Sequence, residues 1–296
     1  MKPYEIRALI RKNVPGVYSV LAFTGMPFFR LWRTFKASQF KQRTTHTVRY
    51  GDHTFVIVLD PQNGLVDRSI FMGDVYEPAI LGLIKKYLPV GGMFVDIGAN
   101  IGQHSLFAAS VVGDTGLVVS FEPIKRLVDQ MNESIRLSNF QSRIKIVSKA
   151  CGQAAGSGEL HFKQDNIGGS SLVADGSAQS GETVEICVAD EALFEYKRRV
   201  DVIKIDTEGY EPNVLAGLHN TIQRDHPVMI VEYSPCLWGE NARKTGKDML
   251  NAVVREGYDI MDIDEGLKHI EDINVWADRF SRGQTNLLML PQGRTD

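Results

Sequence analysis

The stretch FVDIGANIGQHS, residues 94–105, joins a strand-like run to a glycine turn and the start of a helix. An acid, Asp96, closes the apolar run, and glycines follow at positions 98 and 102. In open α/β folds, a glycine turn after the first strand lies at the carboxyl edge of the sheet, where a crevice binds nucleotides. The stretch therefore predicts an α/β fold and the position of its ligand site.

The spacing of this turn argues against a dinucleotide ligand. A dinucleotide turn reads G-x-G-x-x-G and places a pyrophosphate on a helix N-terminus. This chain instead reads D-x-G-x-N-x-G from Asp96 to Gly102. The acid repels a pyrophosphate and attracts a cation, and S-adenosylmethionine carries an ammonium and a sulfonium but no phosphate. We expect Asp96 to hold its amino end, directly or through water, while Gly98 and Gly102 make room for its methionine chain and ribose.

Glu122 occupies the position expected for a ribose ligand. In these folds an acid at the tip of the second strand, about 20 residues after the glycine turn, accepts hydrogen bonds from the ribose hydroxyls. Glu122 ends the apolar run of VVSFEP. Considered alone, it fits equally well as an acid at a helix N-terminus, where the macrodipole favours negative charge. Together with the turn, it favours ribose binding.

Strand and helix patterns alternate from residue 91 onward, which indicates βαβ units and a largely parallel sheet. Predicted strands cover 93–97, 117–121, 144–147, 200–205, 228–231, 258–263 and 286–290, and predicted helices cover 103–112 and 125–139. Residues 152–189 interrupt the rhythm, and their HF and VEICV runs suggest an inserted hairpin. Ahead of the core, residues 47–60 predict a hairpin turning at Gly51-Asp52, and Glu77-Pro78 opens a predicted helix. We therefore expect one domain at 47–296, with a lead-in at 47–90 and a core at 91–296.

Residues 1–45 differ in charge from the rest of the chain. They carry nine Lys and Arg against one acid, a balance of +8, whereas the remaining residues carry 24 bases and 35 acids, a balance of -11. This contrast predicts that residues 1–46 form a basic, aromatic N-terminal extension.

The extension contains sixteen uncharged residues, 14–29, between basic flanks. Prolines and glycines interrupt them, which argues against a signal peptide, and a spanning helix needs about 20 apolar residues. One interpretation is a helical extension packed on the main domain. The other is an interfacial segment in peripheral contact with the inner membrane face, its bases on anionic lipid and its aromatic residues in the headgroups. These aromatic residues are Phe28, Phe29, Trp32 and Phe35.

Composition limits the class of protein and its partners. A chain of 296 residues with 43% hydrophobic and 23% charged residues can bury a full core. Cys151, Cys187 and Cys236 form no CxxC pair and no His-flanked cluster, so a disulfide framework and a zinc site are not suggested and a reducing cytoplasm fits best. The acidic body argues against nucleic acid as a substrate, because phosphate backbones need a basic footprint.

Acidic residues collect after the fourth and fifth core strands. Asp206, Glu208 and Glu211 follow a buried strand in VIKIDTEGYEP, and Glu232 lies in PVMIVEYSP. Parallel strands end at one edge of the sheet, so we expect these acids beside Asp96. If the expected S-adenosylmethionine donates its methyl group to an oxygen, the acceptor hydroxyl must be aligned and must lose its proton. The predicted base, or ligand of a divalent metal that acidifies the hydroxyl, is Asp206 or Glu208, with Glu232 as the second choice.

Structural roles stay open for two residues of this region. Acids at strand-to-helix turns are often N-caps, and Glu211 before Pro212 fits that role alone. His104 is another candidate base, but so close to its helix start it is expected to donate to a backbone group instead.

These motifs resemble those of the FkbM family of S-adenosylmethionine-dependent methyltransferases. The resemblance runs from about Asp67, through MGDVYEP around Glu77, to the end of the chain, and its most specific part is DIGANIG followed by KIDTEGYE at 204–211. It implies a Rossmann-like methyltransferase fold with seven strands, mostly parallel, with helices on both faces. It also implies methyl transfer to a hydroxyl of a sugar, glycan or natural product.

Carried over by position, the resemblance assigns roles to individual residues. The cofactor turn corresponds to Asp96, Gly98, Asn100 and Gly102, and the ribose acid to Glu122. The D-x-E-G-x-E block of the family corresponds to Asp206, Glu208, Gly209 and Glu211, and its acid after strand five to Glu232. Where the family often has a TLDDL-like run, this chain has VADEA at 188–192, which keeps an acid, Asp190, for a place near the adenine.

Two other functions stay open at this point. An NAD-dependent oxidoreductase shares the crevice but requires a glycine spacing that this chain lacks. A non-catalytic Rossmann-like module would use the basic N-terminal extension to dock on a membrane or a partner. The acids at Glu122 and Asp206 argue against that second alternative.

Overall fold

The structure is a computed structural model that describes residues 39–73, 75–163, 166–173 and 180–293. The interpretations of residues 14–35 lie outside this range. The strands are β1 (Thr44–Tyr50), β2 (His53–Leu59), β3 (Met93–Ile97), β4 (Leu117–Phe121), β5 (Ile144–Val147), β6 (Ala150–Cys151), β7 (Gly156–Lys163), β8 (Asn166–Ser171), β9 (Ser180–Cys187), β10 (Val202–Ile205), β11 (Val228–Tyr233), β12 (Tyr258–Asp262), β13 (Lys268–His269) and β14 (Thr285–Pro291). The α-helices are α1 (Leu65–Gly73), α2 (Pro78–Tyr87), α3 (Gln103–Val112), α4 (Lys125–Leu137), α5 (Ala189–Phe194), α6 (Glu211–Ala216), α7 (His219–Asp225), α8 (Ala242–Arg255) and α9 (Ile273–Arg279). None of these described helices combines the length and the apolar composition needed to cross a bilayer.

Within the described residues, eight strands form the central sheet in the order β5-β4-β3-β10-β11-β14-β12-β13. Neighbouring strands from β5 to β11 are parallel, whereas β14 is antiparallel to both β11 and β12. The strand order reverses beside β3, and such a switch point leaves a crevice at the carboxyl ends of the strands. The predicted Rossmann-like fold is confirmed. The two-residue strand β13 extends the expected seven strands at one edge.

Helices cover both faces of this sheet because its central strands are apolar on both sides. Every residue of β3 is buried. Phe94 packs in a core layer with α3, α4 and the β1–β2 hairpin. Val95 and Ile97 point the other way and pack in a layer with α6 and α8. The glycine turn that follows β3 is thereby fixed between two packed layers.

Several elements follow the sequence pattern closely. The bounds of β3, α3, β4 and β5 are those predicted, and β1 and β2 pair as the predicted antiparallel hairpin. Helix α4 ends at Leu137, two residues earlier than predicted, and Asn139 just beyond it adopts a left-handed φ of 58°. Helix α1 was not predicted.

The insertion forms a separate four-stranded sheet in the order β6-β9-β7-β8. The predicted hairpin corresponds to β7 and β9, which pair antiparallel. Strand β8 adds an edge that the sequence pattern did not indicate, and a side chain at its Gly168 would meet Asn100 Nδ2 at 2.3 Å. The insertion therefore lies against the glycine turn.

We expect Ile203→Ala to lower the free energy of unfolding by about 2–4 kcal/mol, because Ile203 is fully buried in β10 and the substitution leaves a cavity. Urea denaturation followed by circular dichroism measures the change. The control is Val254→Ala in α8, where the side chain is 37% exposed and the expected change is within about 0.5 kcal/mol. Equal losses in the two variants would contradict this account of the core.

Candidate active site

The glycine turn is tied to the end of the neighbouring strand. The backbone N–H groups of Gly98 and Ala99 both donate to the carbonyl oxygen of Phe121, each at 3.0 Å. Gly98 has a φ of 80°, and a Cβ there would lie 1.8 Å from the carbonyl oxygen of Asp206. Only glycine permits this contact between the turn and the loop after β10.

Gly102 has a different steric role from the one expected. It precedes α3 with a φ of 83°, and a Cβ there would meet Met131 Sδ in α4 at 2.5 Å. This glycine therefore permits close helix packing. It is not among the residues that line the crevice.

The crevice has two compartments that share one wall, formed by Gly98, Asn100, Gly168, Asp206 and Glu208. The first, here called the Glu122 compartment, is also lined by Glu122, Leu127, Cys151 and Tyr210. The second, here called the Lys204 compartment, is also lined by Tyr76, Gln103, His104, Lys204 and Glu232. Two ligands bound side by side would meet at the shared wall.

Glu122 is held rigidly in the first compartment. Its Oε2 accepts the N–H of Asn100 at 2.8 Å and its Oε1 accepts the N–H of Ile124 at 2.9 Å. The residue is 4% exposed, and burial raises the pKa of its carboxyl group to about 7. Each carboxylate oxygen has a second lone pair, so Glu122 can accept two further hydrogen bonds from a diol.

Lys204 is a buried cation at the centre of the second compartment. It lies in β10 opposite Asp96 of β3, and its Nζ donates to Asp206 Oδ2 at 2.9 Å. Burial alone would lower the pKa of Lys204, but Asp206, Asp96 and Glu77 raise it by a larger amount. The ammonium therefore stays charged although the residue is only 3% exposed. Sequence analysis did not predict a role for this residue. A lysine inside the otherwise apolar strand VIKI was the feature that could have indicated it.

Asp96 lies beneath the turn and has no exposed surface. Its Oδ2 accepts a hydrogen bond from Ser105 Oγ at 2.5 Å, and its Oδ1 has no partner among the described residues. Burial raises the pKa of Asp96, while the Lys204 ammonium opposes the shift. The structure thus places Asp96 behind the crevice wall as a partner of Lys204, whereas we had expected it to face the ligand.

The acids of β11 and of the segment after β10 divide into those that line the crevice and one that supports a loop. Glu208 and Asp206 line both compartments, and Glu208 Oε2 lies 3.4 Å from Lys163 Nζ. Glu232 lines the Lys204 compartment, its Oε2 accepts from Ser234 Oγ at 2.7 Å, and burial raises its pKa. Glu211 instead supports the loop, since its Oε1 accepts the N–H groups of Thr207 and Gly209. Glu211 is the first residue of α6 and Tyr210 is its N-cap, so Glu211 supports the loop and is not the N-cap that the alternative interpretation expected.

A second pair of titratable residues meets beside the Lys204 compartment. His104 Nε2 lies 3.6 Å from Glu77 Oε2, and neither atom has a hydrogen-bond partner among the described residues. Burial raises the pKa of Glu77 to about 7 and lowers that of His104 well below its usual range. The imidazole is therefore neutral near pH 7. Glu77 itself has a left-handed φ of 47°, a conformation that costs energy for a residue with a side chain.

The comparison with known families is decisive for the class of protein. The Methyltransferase FkbM domain matches residues 96–260, which is more than half of the chain. The chain belongs to the FkbM methyltransferase family. The match starts at Asp96, so Tyr76 and Glu77, which the fold brings to the Lys204 compartment, lie outside it.

Two relatives of this FkbM domain protein are about a quarter identical to it over the aligned half of the chain. Hexuronic acid methyltransferase AglP of Haloferax volcanii is 25% identical over 159 residues, which are 52% of this chain and cover 61% of AglP. Methyltransferase sdnD of Sordaria araneosa is 26% identical over 181 residues, covering 51% of this chain and 67% of that protein. The Methyltransferase FkbM structure from Methylobacillus flagellatus KT has a TM-score of 0.44 and 14% identity, and the alignment covers 77% of this chain and 56% of that one.

The role expected for Asp190 of this FkbM protein looks different in the structure. Both Asp190 carboxylate oxygens accept hydrogen bonds at the start of α7, from the N–H groups of Asn220 and Thr221 at 2.8 Å each. Asp190 therefore caps a helix, and the structure does not bring it to the crevice. Among the described residues, no group of three or more His, Cys, Asp or Glu is arranged to hold a metal ion.

We expect Lys204→Met to lower the free energy of unfolding by about 3–5 kcal/mol at pH 7, because it leaves buried Asp96 and its neighbours without a counter-charge. The loss should be smaller at pH 5, where carboxylates with raised pKa values take up protons. Urea denaturation at both pH values measures it. Lys244→Met, at a position with an 81% exposed side chain, is the control and should leave the midpoint unchanged. A urea midpoint of Lys204→Met equal to that of the wild type would contradict the stabilisation of the buried acids by Lys204.

Proposed function

We propose that this protein is an S-adenosylmethionine-dependent O-methyltransferase that acts on a hydroxyl of a sugar, glycan or natural product. The observation that carries the proposal is the pair of compartments with one shared wall, the first containing the buried acid Glu122 and the second containing several acids. Membership of the FkbM methyltransferase family supports the reaction class. We place the activity in the cytoplasm, with a small-molecule or glycan acceptor and no nucleic acid.

The Glu122 compartment fits S-adenosylmethionine better than a dinucleotide. Glu122 offers acceptor lone pairs to ribose hydroxyls, and Leu127 and Tyr210 provide apolar surface for the adenine. Asn100 lines both compartments, and its backbone N–H is fixed by Glu122. When bound there, S-adenosylmethionine supplies an electrophilic methyl group. Gly98 and Gly168 add no side chains to the shared wall, so an acceptor in the Lys204 compartment would be able to approach a cofactor held in the Glu122 compartment.

The Lys204 compartment contains the groups that would position an acceptor hydroxyl and take its proton. Glu208 is our first choice as the base, because it lines both compartments and because burial, followed by the nearby Asp206 charge, raises its pKa. Asp206 is already engaged by the Lys204 ammonium, so we assign it to orientation of the hydroxyl. Glu232 is the second candidate for the base.

The cofactor is tested by calorimetric titration of the full chain with S-adenosylhomocysteine and, separately, with NAD. We expect a Kd in the micromolar range for S-adenosylhomocysteine and no binding of NAD. Glu122→Ala should weaken the affinity by about ten-fold or more, because it removes the acceptor of both ribose hydroxyls. Glu195→Ala, at an exposed position away from the crevice, is the matched control and should bind as the wild type does. Binding of NAD in place of the sulfur nucleoside would overturn the proposal.

The affinity for S-adenosylhomocysteine should also depend on pH in a defined direction. The Glu122 carboxyl group has a pKa of about 7 in the free protein, so it is protonated at lower pH and has fewer lone pairs for the diol. We expect the Kd to rise by up to about ten-fold per pH unit between pH 7 and pH 5.5. Glu122→Gln should bind weakly at every pH and should lose most of this dependence. An unchanged pH dependence in that variant would show that another group is responsible.

A further inference from the structure

The Lys204 compartment contains more negative than positive groups. Asp206, Glu208 and Glu232 line it, and the ammonium of Lys204 already donates to Asp206. Lys163 reaches Glu208 from outside, at 3.4 Å and with a 30% exposed side chain. No arginine is among the described residues that line the compartment. A ligand in this space therefore meets an excess of carboxylates.

Two buried polar atoms of the same region have no partner among the described residues. They are His104 Nε2 and Glu77 Oε2, which lie 3.6 Å apart. His104 lines the compartment and is only 6% exposed. Buried polar groups are almost always hydrogen-bonded. Two such atoms without hydrogen-bond partners beside a cavity therefore indicate a place where a ligand supplies the missing hydrogen bonds.

The hydrogen-bonding capacity of this wall suits a ligand that donates. A carboxylate accepts only, and hydroxyl and ammonium groups of a ligand can donate to it. The Gln103 amide is held by the backbone of Tyr76: it accepts the Tyr76 N–H at 2.6 Å and donates to the Tyr76 carbonyl oxygen at 2.8 Å. Burial, followed by the neighbouring acids, raises the pKa values of Glu208 and Glu232. A carboxylate on the ligand would add a further like charge to this region, whereas an ammonium would offset the repulsion.

We propose that the Lys204 compartment selects its acceptor by charge, favouring an amino-bearing polyhydroxyl compound over an uncharged one and an uncharged one over a carboxylate-bearing one. This inference rests on the proposed function, because it takes the compartment as the acceptor site. It separates this protein from AglP, whose name assigns it a hexuronic acid. Electrostatic repulsion between like charges a few ångströms apart is the physical cause of the rejection.

Three matched probes test the order: the methyl glycosides of glucosamine, glucose and glucuronic acid, titrated into the full chain at pH 6.5 and followed by NMR. Each titration is made with and without saturating S-adenosylhomocysteine. The expected result is a Kd that rises by about ten-fold from the amine to the uncharged glycoside and again to the uronate. Glu232→Gln should reduce both steps, and Glu208→Gln is an independent second variant with the same expectation. Glu195→Gln, at an exposed position, is the matched control and should keep the wild-type order.

The outcomes separate this inference from the proposed function. A uronate that binds as tightly as the other two glycosides, or no binding of any glycoside, overturns the selection by charge. If S-adenosylhomocysteine still binds in that case, the proposed cofactor stands. If the glycosides follow the expected order but S-adenosylhomocysteine does not bind, the charge selection stands and the methyltransferase proposal fails.

Discussion

The buried Lys204 ammonium balances the charge of acids that belong to two adjacent strands. It lies in β10 opposite Asp96 of β3 and donates to Asp206, the first residue after its own strand. A buried charge is tolerated only when it is paired. Removal of either the cation or its acids would therefore leave an uncompensated buried charge and destabilise the fold. Because Asp206 lines both compartments of the crevice, the position of the shared wall depends on this ion cluster.

Close backbone approach at two glycines is the second constraint on the site. Gly98 brings the turn against the carbonyl oxygen of Asp206, and Gly168 brings the inserted sheet against Asn100. Side chains at these positions would push the compartments apart. Group transfer requires the reacting atoms to approach within about 3–3.5 Å. In the proposed reaction, the close backbone approach at these glycines would bring ligands of the two compartments near one another.

The acids around the crevice have different tasks although the sequence groups them together. Glu122 and Glu208 face the compartments, Asp96 faces Lys204 beneath the turn, and Glu211 holds the loop between Thr207 and Gly209. Spacing along the chain indicated that they would meet at one edge. Which carboxylate faces the cavity depends on the backbone conformation of each loop, and short sequence patterns do not encode it.

The sequence by itself determined where the core strands lie along the chain, the glycine turn between β3 and α3, and the acid at the tip of β4. Such features depend on local periodicity and on residues close together in the chain, where the pattern of apolar side chains is sufficient. Only the tertiary structure showed the shared wall, the electrostatic pairing of Lys204 with Asp96, and the arrival of Tyr76 and Gly168 at the crevice with Glu77 beside it. These contacts join segments that are distant in sequence, and each requires a specific packing of the sheet, the lead-in helix α2 and the inserted strands. Tertiary packing also decided the contacts of Gly102, which packs against Met131, and of Asp190, which accepts N–H groups at the start of α7. Both contacts depend on which residues the fold brings close together, and local sequence patterns do not specify that.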